Sequence, residues 1–161
     1  MSPLKILLCV ESTSPDELLD AALALVSQAA AVWVPTHVVD ARARRELGFL
    51  RGAITGAGPL SRSQLQAIDD ATAEHTRAVL EASAASLSRR ALAHEPPQIR
   101  VGEPGREICA VAATVGAGLV VLRASRRARA TSGPGSVGHT ARFVLDHAPC
   151  PVLLVRGSRL A

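Results

Sequence analysis

Two groups of residues in this sequence have the types and spacing to hold an anion. Gly133-Pro134-Gly135-Ser136-Val137-Gly138 sets glycines where a backbone can approach a ligand closely, ahead of a run that reads as a helix. Backbone N–H groups at a helix start, aided by the helix dipole, favour phosphate. Upstream, Arg123, Arg126, Arg127 and Arg129 fall within seven residues, and guanidinium forks bind phosphate oxygens in pairs. The glycine string formally matches G-x-G-x-x-G. It follows its strand by about ten residues, however, and no acid stands at the later offset, so as a dinucleotide fingerprint it is weak. A flexible loop with a Gly-Ser helix start is the bland alternative, and the phosphate site is the reading preferred for these residues.

Other chemistries lack their residues. There is no Walker A string and no G-x-S-x-G elbow, and His37, His75, His94, His139 and His147 include no pair at metal-ligand spacing. His147 reads as a partner for the C-terminal dipole of the last helix. Asp69, Asp70 and Glu74 read as the solvated face of a long helix. Cys9, Cys109 and Cys150 are odd in number and form no C-x-x-C, so they read as small buried hydrophobes. No nucleophile stands beside a base, which argues against an enzyme.

Composition narrows the class. The 161 residues are 48% hydrophobic and 20% charged, the balance of one soluble globular domain and not of a disordered chain. The apolar stretch Leu18 to Val39 is interrupted by Asp20, Ser27, Gln28, Pro35 and His37, so no run spans a bilayer. The N-terminal apolar stretch is too short for a signal peptide, and the expected location is cytoplasmic. A net charge of +4 invites nucleic acid, yet aromatic residues are only 2% and the arginine excess is a local spot. Both features argue against a nucleic-acid partner.

The elements that must position these groups alternate. Ile6 to Val10 is a continuous apolar run, the pattern of a strand buried on both faces. Ser14-Pro15-Asp16-Glu17 then carries the residues of a capping box, and Leu18, Leu19, Ala22, Leu23 and Val26 recur at helical spacing. Ala31 to Val34 with His37 to Val39 reads as a second strand ending at Asp40, with Pro35 marking an edge or a bulge. Residues 41–60 read as a mobile surface segment. A long helix is expected from Ser61 or Ser63 to about Ala93, with Leu65, Ile68, Ala71, Ala78, Ala82 and Ala85 on its apolar side.

Ile99 to Gly102 follows as a third strand, then a helix facing inward with Ile108, Val111, Ala112 and Val115. Leu119 to Leu122 is a fourth strand, a helix runs from Ser136 to about His147, and Val152 to Val155 is the last strand. Such alternation implies right-handed crossovers and an α/β fold, a parallel, doubly wound sheet with helices on both faces. Ligands of such sheets lie beyond the strands' carboxyl ends, where strand order reverses. Val10-Glu11-Ser12, Val38-Val39-Asp40, Gly102 and Leu122-Arg123-Ala124 fall there, with the loop Ser132 to Ser136 entering the same crevice.

These residues resemble the universal stress protein family over nearly the whole chain. The resemblance rests on Lys5 to Ser12, His37 to Asp40, Val101-Gly102-Glu103-Pro104, Gly135-Ser136-Val137 and, above all, His147 to Arg156. It implies a five-stranded, Rossmann-like sheet of the adenine nucleotide alpha hydrolase-like kind over residues 1–161. It also implies homodimers paired through the last strand and, in one branch, ATP with Mg in the crevice, turned over slowly at most. By position, Glu11 matches an acid, usually Asp, that meets the ribose, and Val38 matches a residue packing on adenine. Gly135 and Ser136 match the phosphate-binding Gly-Ser that opens the last helix. Val10, Ser12, Gly102, Leu122, Gly133 and Val137 complete the expected lining.

The chain also departs from the ATP-binding pattern. Arg123 and Arg126 stand where two early glycines belong, and eight residues separate Arg126 from Gly135, one fewer than the pattern has. Side chains there could block the backbone approach that glycine permits, or arginines could take over the phosphate. Two readings follow: a stress-response or signalling module that binds an adenine nucleotide, and a module of the same fold that works through an unidentified protein partner. Val152-Leu153-Leu154-Val155, placed at a sheet edge, would offer a strand template for a second copy.

Overall fold

The computed structural model describes residues 3–12, 14–26, 31–42, 60–124 and 137–156. Five parallel strands form one sheet: β1 (Leu4–Cys9), β2 (Ala31–Asp40), β3 (Gln98–Gly102), β4 (Leu119–Arg123) and β5 (Val152–Val155), in the spatial order β3-β2-β1-β4-β5. Between them run α1 (Asp16–Leu23), α2 (Arg62–Arg89), α3 (Pro104–Val115) and α4 (His139–His147). The α/β expectation holds, and strand order reverses between β1 and β4.

β1 is the centre of the sheet and is buried on both faces, which is why its sequence is apolar without alternation. Ile6, Leu8 and Val10 join Leu19, Trp33 and Val79 in one core cluster, while Leu7 and Cys9 join Val34, Ile108, Val120 and Val144 in the other. Each fully buried aliphatic side chain contributes about 1.5–3 kcal/mol, so this strand is anchored from above and below.

Pro35 lies within a continuous β2, paired with Leu8 of β1. On the other side the β2–β3 ladder begins only at Thr36, and the earlier contact is an isolated bridge from Trp33 to His94. The proline thus sits in the gap between them, where no ladder hydrogen bond asks for its missing N–H.

Four local expectations are corrected. At the start of α1 no side-chain cap forms: Glu17 reaches Arg123, and the Ser14 N–H donates to Ser12 Oγ at 3.4 Å. On α2 the buried residues are Thr76, Val79, Leu80, Ser83, Ser86 and Leu87, and Ala71, Ala78 and Ala85 are exposed. The serines pack inward because their hydroxyls are satisfied locally, Ser83 donating to Leu80 O at 2.8 Å and Ser86 to Asp16. Alanine, by contrast, has too little surface to decide which way a helix faces. α2 also stops short of Ala93, in a turn where the Leu92 N–H reaches Leu87 O at 3.0 Å and Ala91 takes φ 53°. α4 starts at His139 and not Ser136, after Gly138 turns the chain at φ 92°.

Other details hold. Ser61 forms a full capping box with Gln64 at the start of α2. His147 Nδ1 lies 2.9 Å from Phe143 O in the last turn of α4. Of the segment 41–60, residues 43–59 lie outside the described residues.

Candidate functional site

The order of strands reverses between the parallel neighbours β1 and β4, so their following loops diverge and leave a crevice at the strand ends. β1 delivers Val10, Glu11 and Ser12 to this point. Val10 is buried and held from both polar sides: its N–H donates to Thr36 O at 3.0 Å, and its carbonyl accepts from His37 Nδ1 at 2.7 Å. Beyond it, Glu11 and Ser12 are exposed. β4 delivers buried Leu122 and then Arg123, while the Ala124 N–H donates to Val155 O at 2.9 Å.

Arg123 is engaged: its guanidinium donates to Glu17 Oε2 at 2.5 Å, with the arginine side chain 18% exposed. Glu11 shares this field. Although the residue reaches solvent, burial around its carboxyl raises its pKa, and the charges of Arg123 and His37, which pull it down, do not overcome that effect. The crevice therefore holds a carboxyl whose pKa burial raises, in the field of a cation tied to α1.

Val38 stands two strands from β4 and lines a cavity of about 420 Å³ at the end of β2, with His37, Asp40, Ile68 and His75. The His37 and His75 rings meet edge to face at 6.2 Å. Gly102 ends β3, farther still, and a Cβ there would lie 2.8 Å from the Glu107 carboxylate, which pairs with Arg100 at 3.1 Å. Its small size thus serves packing at the sheet edge. Val137 precedes α4 and packs against the lower core cluster. Arg126, Gly133, Gly135 and Ser136 lie outside the described residues.

The structure thus gathers Val10, Glu11, Ser12, Leu122 and Arg123 at one point and sets Val38 to one side, with Gly102 apart. Sequence reasoning missed Glu17 as an Arg123 partner, though an acid in the first turn after a β1 loop was the available signal. It also read Asp69 as purely solvated, whereas Asp69 borders the cavity at β2. Among the described residues no group of three His, Cys, Asp or Glu is placed to hold a metal ion. Burial raises the pKa of all three thiols, in keeping with a packing role. No described helix is long and apolar enough to cross a membrane.

The described half of the crevice brings the Glu11 carboxyl at the end of β1 into the field of Arg123 at the end of β4, with the cavity at the end of β2 beside them. Residues 125–136 lie outside those described.

Compared with known proteins, residues 4–156 match the Universal stress protein family. No curated protein matches the sequence. A solved protein from the universal stress protein family of Burkholderia pseudomallei is 27% identical, with a TM-score of 0.59 over 94% of both chains. The hypothetical protein MJ0577 superposes with a TM-score of 0.72 at 18% identity over 99% of both chains. A universal stress protein family protein of Arabidopsis thaliana, solved with AMP bound, gives 0.63 at 16% identity, covering 98% of this chain and 94% of that one. At such identities the last two likenesses concern the fold.

Proposed function

This chain belongs to the universal stress protein family, and we propose that it is a cytoplasmic, homodimeric stress-response or signalling module that binds an adenine nucleotide at the β1–β4 crevice. The observation that carries this reading is the strand reversal that sets Glu11 and Arg123 side by side at one opening. The related Arabidopsis protein with AMP bound supports the ligand class. Glu11 meets the ribose, Val38 the base, and Gly135, Ser136 and Arg126 the phosphates, with ATP and Mg as the full ligand. Binding transmits a state and does not depend on rapid turnover, since no described nucleophile stands beside a base.

One observation favours a second reading. Arg123 stands at the crevice already paired to Glu17, and a crevice closed in this way leaves the outer surfaces to a protein partner. Isothermal titration with ATP, after a denatured sample has been checked for carried-over nucleotide, separates the two. Saturable binding near one per chain, weakened by Ser136→Ala and Arg126→Ala and strengthened by Glu17→Gln, is the expected result. Absence of binding in the wild type and in Glu17→Gln, with no carried-over nucleotide, would transfer the assignment to the partner-binding module.

A further inference from the structure

The polar groups around the cavity at the end of β2 have their protons committed and their lone pairs left over. His37 on β2 is 8% exposed, borders this cavity and meets the His75 ring of α2. Its Nδ1 lies 2.7 Å from Val10 O. A carbonyl only accepts, so Nδ1 carries the proton, and in the neutral ring Nε2 is a bare acceptor. Nε2 makes no hydrogen bond to a described residue, and it is not among the polar atoms sealed from solvent. The fold, and not a ligand, fixes the tautomer, so this acceptor is preorganised.

The neighbouring groups have the same sign. The Thr72 hydroxyl donates to Ile68 O at 2.7 Å and keeps only lone pairs for a ligand. Asp40 and Asp69 add carboxylates, of which Asp40 already accepts the Arg42 N–H at 2.8 Å and Asp69 is also engaged. The Thr76 hydroxyl is sealed from solvent, and His75 is exposed. Val39, Ile68 and Val101 supply hydrocarbon between them. Such walls suit a flat apolar ring that donates hydrogen bonds, whereas a group that only accepts would lose its hydration without return.

We infer that His37 Nε2 is the group that recognises the base, accepting a hydrogen bond from the exocyclic amino group of adenine. This rests on the nucleotide reading and adds to it the residue that selects the base. Of the polar groups at the cavity, His37 is the one both buried and open, so its hydrogen bond competes least with water. The same ring bonds the carbonyl of Val10, the residue before Glu11, and so joins the base end of the site to the β1 end.

The test sets ATP against purine riboside 5′-triphosphate, the same nucleotide with hydrogen in place of the amino group. Each is titrated into the full chain by calorimetry, and the His37 Nε2 resonance is followed by nitrogen NMR. ATP should bind about three- to tenfold more tightly, the worth of one neutral hydrogen bond. It should also move the Nε2 resonance upfield from its bare-acceptor position, while the analogue leaves it in place. In His37→Phe the two nucleotides should bind equally, and the preference is read as a ratio within one protein, whatever the change does to overall affinity. Equal binding by the wild type, a preference that survives in His37→Phe, or an Nε2 resonance that ATP does not move overturns the assignment and leaves the nucleotide reading standing. Absence of saturation by either nucleotide removes that reading and this assignment with it, so the two failures are told apart.

Discussion

Arg123 and Glu11 hold the crevice in opposing states. Glu11 has its pKa raised by burial, and Arg123 works against that shift. A carboxyl whose folded pKa exceeds its unfolded value binds more protons in the folded state, so its ionisation lowers stability as pH rises from the unfolded value through the folded one. Glu11→Gln is therefore expected to be more stable than the wild type at neutral pH, with the difference vanishing in acid, as urea midpoints across pH would record. In a carboxyl NMR titration, Arg123→Met should move the Glu11 midpoint further up; a midpoint that falls would show that burial is not the governing cause. Asp16 behaves oppositely: the Ser86 hydroxyl and Arg90 hold its pKa down, so whatever stability this adds is lost as pH falls. The Asp16 side chain is 49% exposed, and solvent keeps that contribution small.

Among the elements, the ends of α2 show how local chemistry and packing divide the work. Ser61 and Gln64 exchange hydrogen bonds at its start; the sequence offered Ser61 or Ser63 for this position, and the same kind of motif at Ser14–Glu17 forms no side-chain cap. The other end is not legible, because no glycine marks it. Ala91 occupies the left-handed region at φ 53° so that Leu92 can turn back and bury at 7% exposure. An L-residue there costs about 1–2 kcal/mol, part of which glycine returns to the unfolded chain. Ala91→Gly is thus expected to stabilise the protein by about 0.5–1 kcal/mol, seen as a higher melting temperature in calorimetry. A lower one would mean the turn is not the stop of α2. Arg90 beside it binds Asp16 at 3.0 Å and Asp20 at 2.5 Å, joining this turn to α1.

For the whole molecule, β5 is an outer strand of the sheet, hydrogen-bonded on one side to β4. Among the described residues no strand pairs with its other edge, where Val152, Leu153 and Leu154 are half-buried, and a two-fold copy would cover it. On the proposed homodimer, Leu154→Lys should give monomers by light scattering; a dimer that persists unchanged would rule out pairing through β5. What could be read along the chain was what depends on neighbours in sequence: apolar runs mark strands, capping residues mark the start of α2, and the alternation of the two implies a parallel sheet. The strand ends followed from that order, so Val10, Glu11 and Leu122 could be set at the ends of β1 and β4 without coordinates. Three things needed the folded chain. The face that α2 buries turned on serines whose hydroxyls find Asp16 and Leu80 O. The state of Arg123 turned on Glu17, 106 residues away, and the cavity over the sheet edge turned on α2 being brought beside Val39 and Ile99. Each is a contact between distant segments, whose energy depends on distance and burial, and neither quantity exists until the sheet has brought those segments together.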